Sequence, residues 1–306
     1  MDSRRPATAA PAVSIGLPVY NGEAYLEKTI ASLLGQTYRD FELIICDNAS
    51  TDGTERLCRA AAQRDARVRY HRNQRNLGAA ANYNLCFALA RGRYFRWNAA
   101  DDMVTADALQ KCVEFLQRNP GFVLAYPRTE IIDGEGRTKE SYDDRLDIRD
   151  DDPVSRAATV LRKSRECNAV FGLIEATALR GTSLIGRYVG SDHILLYELA
   201  LRGRFAELPD VRFFRRDHPE ASSSDKTIAR QKRFYDPDGE DPRFERSCHY
   251  KTWRHIQESW RAVRRASLGF RDRMRARWMV FRVGVESRRH LIEEHRLARR
   301  GSQEIP

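Results

Sequence analysis

The chain has 306 residues, 42% of them hydrophobic and 31% charged, with 53 Lys/Arg against 43 Asp/Glu for a formal net charge of +10. This suits a globular chain with a full buried core, and no apolar run approaches the roughly 18–20 residues that cross a bilayer; Met279–Val285 is too short and is broken by Arg282. The excess of positive charge is local, because Tyr250–Arg300 alone carries 15 Lys/Arg against 5 Asp/Glu.

Residues 1–11 hold Arg4 and Arg5 but no apolar h-region, and read as a disordered lead-in, not a signal peptide. Val13–Val19 is the first expected strand, followed by a helix over Glu23–Leu34 with Leu26, Ile30, Leu33 and Leu34 on one face. Phe41–Asp47 is a second strand, Asp52–Ala62 a second helix and Val68–His71 a short third strand. Asn73–Gly78 reads as a turn, Ala79–Ala90 as a helix stopping at Gly92, and Tyr94–Asn98 as a fourth strand. Thr105–Arg118 is a helix closed by Asn119-Pro120-Gly121. Strands alternating with helices in this way predict an α/β chain with a mostly parallel sheet and helices on both faces.

The pattern changes after Phe122. Val123–Tyr126 and Glu130–Asp133 read as separate strands, and the polar stretch Gly134–Asp152 as a mobile loop. Helices are expected over Val154–Ser164 and Asp192–Arg202, and strands over Phe205–Leu208 and Val211–Arg215. From Lys226 onward only helices are expected, with Trp253, Ile256, Trp260 and Val263 at amphipathic spacing. Six scattered cysteines with no C-x-x-C pair read as reduced, mostly buried thiols of a cytosolic protein and argue against zinc.

Three expected strands end in polar clusters, and ligands of open α/β sheets bind outside such ends. The clusters are Pro18-Val19-Tyr20-Asn21, Asp47-Asn48-Ala49-Ser50-Thr51-Asp52-Gly53, and Asn98-Ala99-Ala100-Asp101-Asp102. Adjacent carboxylates at Asp101 and Asp102 suit a hard divalent cation that keeps positions open for phosphate, although they could equally cap the next helix. Asp47 could accept a bond from a nucleobase edge, or simply shape its turn. Asn76, Gly78 and Asn82 taken singly are turn residues. Ser191-Asp192 reads as an N-cap that can also serve as a general base. His218 follows a strand, where it could ligate a metal or touch phosphate with Arg216 assisting, or stand by.

Taken together and in this order, these motifs over roughly Ala12–Ser224 resemble the family 2 inverting glycosyltransferases, which have a GT-A type fold. The resemblance implies a catalytic domain over residues 12–224, with a nucleotide-binding half (12–121) and an acceptor half (122–224), followed by a basic helical extension over 225–306. It implies one sugar moved with inversion from a nucleotide-sugar, UDP being the favoured nucleotide, to a hydroxyl of a glycan or small molecule. Pro18, Tyr20, Asn21, Asn76, Gly78, Asn82 and Asp101 would hold the donor and Asp47 would read its base. Asp102 and His218 would hold Mn2+ or Mg2+, and Asp192 would be the base. Two positions depart from the family pattern: Ala100 stands where a typical D-x-D has its first acid, and Ser191 where a Glu often precedes the base. The Q-x-x-R-W signature of processive members is absent, which favours single addition.

Two other readings stay open on the residues alone. One is a nucleotide-binding protein of the same fold without transferase activity, supported by Ala100 and Ser191. The other makes the tail, with seven arginines between Arg261 and Arg277 beside Trp253, Trp260 and Trp278, a contact for an anionic membrane or a nucleic acid.

Overall fold

The computed structural model describes residues 10–221, 227–239, 244, 248 and 250–300. The lead-in expected over residues 1–11 lies outside them apart from residues 10 and 11, as do Ser222 and Ser223 next to the His218 segment.

The first half alternates as the sequence predicts: β1 (Val13–Val19), α1 (Glu23–Leu34), β2 (Phe41–Asp47), α2 (Thr54–Arg64), β3 (Val68–Arg72), α3 (Ala79–Ala88) and β4 (Tyr94–Trp97). A short β5 (Met103–Val104), α4 (Ala108–Arg118), β6 (Phe122–Ile132), β7 (Thr138–Tyr142) and α5 (Pro153–Lys163) follow. Next come a 3-10 turn at Asn168–Phe171, β8 (Leu173–Glu175), α6 (Ala176–Arg180), α7 (Ser191–Ala200) and β9 (Arg204–Arg216). The last described elements are α8 (Ile228–Tyr235), α9 (Lys251–Arg265), α10 (Phe270–Glu286) and α11 (Arg288–Arg300).

The nine strands of the described residues form one sheet, ordered β3-β2-β1-β4-β8-β6-β9-β5 with β7 added to β6. β3, β2, β1 and β4 are parallel, so their carboxyl ends lie along one edge. Every residue of β1 and β2 is buried, as continuous apolar runs require when helices cover both faces of a parallel sheet. β8 reverses direction between β4 and β6, and β6 pairs parallel with β9. The sheet is therefore mixed, and its two faces carry two separate apolar clusters.

Several boundaries differ from the sequence expectation. The two short strands after Phe122 are one eleven-residue strand, and those around Pro209 are one thirteen-residue strand. The pairing of β9 with β6 jumps from Pro127–Leu208 to Arg128–Arg212, so Pro209, Asp210 and Val211 bulge out of one continuous strand. Gly134–Asp152 is not a free loop. It contains β7, buries Leu146 and Ile148, and bridges Ile148 to Phe205 by reciprocal backbone bonds of 3.0 and 2.9 Å.

Helices α9 and α10 share the main core, whereas Ile228 of α8 belongs to a separate small cluster. Ala262 and Val263 of α9 and Ala276, Met279 and Val280 of α10 join the cluster that holds Leu195, Leu196 and Leu199 of α7. Glu198 of α7, with no exposed side-chain surface, receives the Arg265 guanidinium at 2.6 Å and the Ser183 N–H at 2.6 Å. No helix among the described residues is long and apolar enough to cross a membrane. All six cysteines are buried.

Candidate active site

The turns after β1 and β2 are stitched together. The Asn21 N–H donates to Ser50 Oγ and the Gly22 N–H to Thr54 Oγ1, each at 2.9 Å, while the Thr51 N–H returns a bond to Asn21 Oδ1 at 2.9 Å. One residue on, the Glu23 N–H donates to Asp52 Oδ2 at 3.0 Å and the Gly53 N–H to Glu23 Oε2 at 2.9 Å. The Asn21 side chain thus fixes the loop, at a φ of 50° that Asn tolerates better than most residues. The helix after β2 begins at Thr54, later than expected, because the Asp52 carboxylate turns back to accept the Thr54 N–H.

Asp47 departs from the sequence expectation. It is fully buried and lines neither of the cavities described below. Its Oδ1 accepts the Ser50 N–H at 2.8 Å, and its Oδ2 accepts the Tyr70 hydroxyl at 2.8 Å and Arg72 at 3.1 Å. Both oxygens are engaged by the turn and by β3, so the carboxylate holds the β2 end. Asn48, buried like Asp47 but lining the larger cavity, stands beside it within a chain of carboxamides. Asn48 donates to Asn76 Oδ1 at 2.7 Å and accepts from Asn73 at 2.9 Å; Asn73 also donates to Asn82 Oδ1 at 3.1 Å, and Asn82 to the Cys46 carbonyl at 2.8 Å.

Gly78 has φ +80°, and a Cβ there would sit 2.6 Å from the Tyr235 carbonyl oxygen at the end of α8. The missing side chain therefore lets α8 close against the turn before α3.

At the third strand end, His218 Nε2 meets Asp101 Oδ2 at 2.9 Å. The expectation paired His218 with Asp102, but Asp102 Oδ1 accepts the Arg216 N–H at 2.8 Å, while no described residue donates to its Oδ2. Burial and the neighbouring charge of Asp101 push the Asp102 carboxyl well above its ordinary range. Arg216 is not free to assist at phosphate. Its buried guanidinium donates to the carbonyls of Asp101, Asp133 and Gly134 at 2.9–3.0 Å and lies 4.7 Å over the Tyr25 ring, clamping the loop. Tyr25 also packs on the His218 ring, with centroids 4.7 Å apart.

Two cavities meet at this point. One, of about 590 Å³, is lined by Pro18, Tyr20, Asn21, Asn48, Asn76, Asn82, Asp101 and His218, and by Arg230 and Arg233 of α8. The other, of about 470 Å³, is lined by Asp101, Asp102, Cys167, Asn168, Asp192, His193 and Arg215, and by Lys251 of α9. Asp101, Tyr83 and Phe234 are among the residues that line both. Of the predicted residues, Gly78 and Asp47 line neither cavity, and Asp102 and Asp192 lie on the far side of Asp101 from the loops.

Asp192 is not an N-cap. Gly190, at φ +79°, is the cap of α7, and Asp192 stands in the first turn with Oδ1 on the His193 N–H at 3.0 Å. Its neighbours could not be found in sequence. Cys167 lies 25 positions upstream, yet a Cys167, Asp192 and His193 ligand atom all fall within 4.8 Å of one another. Burial and the Asp192 charge push the Cys167 thiol up, and burial pulls the His193 imidazole down. Arg230 and Arg233, one helical turn apart, carried a weak signal; Lys251 carried none.

Residues 14–183, more than half of the chain, match the family model for glycosyl transferase family 2. The chain is similar to the putative glycosyltransferase EpsE of Bacillus subtilis strain 168, with 38% identity over 112 residues, 36% of this chain and 40% of that protein. It is also similar to chondroitin synthase of Escherichia coli, with 34% identity over 126 residues, 41% of this chain and 18% of that protein. These alignments span half or less of the relatives' own length. In fold it is similar to S. aureus TarS residues 1–349 in complex with UDP-GlcNAc, at a TM-score of 0.63 and 13% identity over 87% of this chain and 70% of that one. A second likeness is to the mannosyltransferase PcManGT from Pyrobaculum calidifontis in complex with GDP-Man and Mn2+, at a TM-score of 0.52 and 15% identity over 92% of this chain and 76% of that one. With the strand-end loops, the Asp101-Asp102 pair and the mixed sheet in place, the chain belongs to glycosyl transferase family 2 and has the GT-A type fold.

Proposed function

We propose that the chain moves one sugar, with inversion, from a nucleotide-sugar to a hydroxyl acceptor, with Asp192 as general base. The observation that carries this reading is the meeting of the two cavities at Asp101, with the loop-lined cavity on one side and Asp192 in the other. A donor lying in the first cavity would present its diphosphate near Asp101 and its sugar toward the second. Tyr20, half exposed at the cavity wall, offers a ring for the base, and Arg230 and Arg233 offer positive charge for phosphate. UDP-GlcNAc in TarS and GDP-Man in PcManGT support a nucleotide-sugar donor and leave its base open.

The residues present have the chemistry for a divalent cation, although the ligand atoms of Asp101, Asp102 and His218 do not all lie within 4.8 Å of one another in this conformation. Asp101, Asp102 and His218 offer hard carboxylate oxygens and one imidazole nitrogen, and Asp102 Oδ2 has no donor among the described residues. This set suits Mn2+ or Mg2+, and the imidazole favours Mn2+, the ion bound with PcManGT. When bound, such a cation neutralises charge on the departing nucleoside diphosphate.

The protein's own groups do the rest. The stitched loops hold the nucleoside, and Arg216 holds the Asp101 backbone in place. Asp192 takes the proton of the acceptor hydroxyl as its oxygen attacks the anomeric carbon and the sugar–phosphate bond breaks. One in-line displacement needs one base and no enzyme nucleophile, which gives inversion. Asp192→Asn is expected to lower turnover by about 10²–10⁴-fold with donor affinity retained. Near wild-type turnover by that variant, measured as nucleoside diphosphate release with acceptor, would remove Asp192 from the role.

A further inference from the structure

Helix α10 is apolar on two opposite sides. At about 100° per residue, Ala276, Met279, Val280 and Val283 share one side, which packs into the core. Phe270, Met274, Trp278, Phe281 and Val285 share the other, centred roughly opposite, and all five are exposed. Phe270 shows 79% of its surface and Trp278 61%, and the Trp278 and Phe281 rings stack with centroids 5.4 Å apart. The spacing i, i+4, i+8, i+11, i+15 keeps this row straight along the whole helix. Of the tail tryptophans, Trp278 lies in this row, whereas Trp260 packs against the core.

Arginines border the row on both sides: Arg273 and Arg277 along one edge, Arg271 and Arg282 along the other. The acids of the helix are engaged, Asp272 with Arg275 and Glu286 with Arg282. Arg271 and Arg277 have no acidic partner among the described residues.

An exposed row of this kind marks a contact surface. A second copy of the chain is a poor occupant, because its arginine borders would face these like charges. One helical row also falls short of the roughly 800 Å² per partner of a standard interface. An anionic bilayer matches both features, since acyl chains can take the aromatic row while lipid phosphates meet the arginines. We propose that α10 lies along an anionic membrane surface, with Phe270, Met274, Trp278, Phe281 and Val285 turned into the interface and its inner face still packed on the core. This surface is independent of the transfer chemistry. It sits one helix from the cavity of Asp192, because α10 packs on α9, whose Lys251 lines that cavity.

The test is cosedimentation of the full chain with phosphatidylcholine vesicles, with and without phosphatidylglycerol, at low and high salt. Binding is expected only with phosphatidylglycerol and is expected to weaken with salt. Arg271→Ser/Arg277→Ser should weaken it about 30-fold, from roughly 1 kcal/mol per arginine at the surface. Trp278→Ser/Phe281→Ser should abolish it while leaving the melting temperature and donor turnover unchanged, because both side chains are exposed. Equal binding to both vesicle types, or unchanged binding by Trp278→Ser/Phe281→Ser, would overturn the proposal. So would absence of vesicle binding together with a dimer in sedimentation equilibrium that the same variant dissolves.

Discussion

The most quantitative consequence of this fold concerns Arg265 and Glu198. Glu198 has no exposed side-chain surface, and its two oxygens are used differently. Oε2 accepts the Ser183 N–H and hydroxyl at 2.6 and 3.0 Å, while Oε1 accepts only Arg265, through Nε at 2.7 Å and a terminal nitrogen at 2.6 Å. Arg265→Met would leave Oε1 buried and unpaired. Removing one partner of a buried ion pair costs about 3–5 kcal/mol. Arg265 is itself a third exposed, so water can reach part of the vacated space, and about 2–3 kcal/mol is the better expectation. With an unfolding entropy of about 2.1 cal/mol/K per residue, that corresponds to a fall in Tm of roughly 3–5 °C. Equilibrium urea unfolding and calorimetry give the two numbers. Glu198→Gln/Arg265→Met should recover at least half of the loss, because the neutral amide keeps the Ser183 hydroxyl bond without a stranded charge. A loss under about 0.5 kcal/mol, within the range of ordinary surface substitutions, or a double variant less stable than Arg265→Met, would refute the assignment of this pair as the tie between α7 and α9.

Three further outcomes follow from the geometry. Gly78→Ala places a Cβ against the Tyr235 carbonyl at a positive φ, a strain of about 1–2 kcal/mol; nucleotide titration should show roughly 5- to 30-fold weaker binding as α8 is pushed from the groove. His218→Ala should remove the part of nucleotide affinity that Mn2+ adds, while the variant and wild type bind equally in EDTA; calorimetry with both conditions checks it. Burial pushes the Asp144 carboxyl up to about 7. An acid whose folded pKa is raised binds a proton in the folded state that the unfolded chain has released. Stability should therefore fall as pH rises from about 4 to about 7, by about 1.4 kcal/mol per pH unit from this group. Urea unfolding across that range should show a shallower slope for Asp144→Asn, and parallel slopes would remove Asp144 as the cause.

The sequence was most legible where burial is two-sided. Val13–Val19 and Phe41–Asp47 announce themselves because each position faces a helix layer, so apolarity is unbroken. Leu146 and Ile148 were hidden because they are isolated apolar residues among Asp and Arg, and only a long-range bridge to Phe205 buries them. Pro209 read as a strand break because a proline cannot show from sequence that its strand resumes beyond a bulge. At the site, the order of clusters pointed to the strand ends that line the two cavities, but side-chain direction was not encoded locally. Asp47 turns to Tyr70 and Arg72 across a strand, His218 meets Asp101 across 117 positions, and Lys251 reaches the Asp192 cavity from a helix that composition marked only as basic.

The change of strand direction at β8 also bears on how such a molecule can diversify. The loops that line the larger cavity hang mainly from the parallel strands β1, β2 and β4, whereas the wall around Asp192 is supplied by the 3-10 turn and helices that follow β6. The two sets of supports touch at a few shared residues, among them Tyr83, Asp101 and Phe234. Substitutions at the exposed Arg165 and Glu166 or at Lys251 can accumulate without disturbing the stitched loops, so one half of the groove can drift toward new chemistry while the other is held constant. Under the proposed transfer function, such partial independence lets a lineage explore many acceptors from a single inherited way of holding a donor.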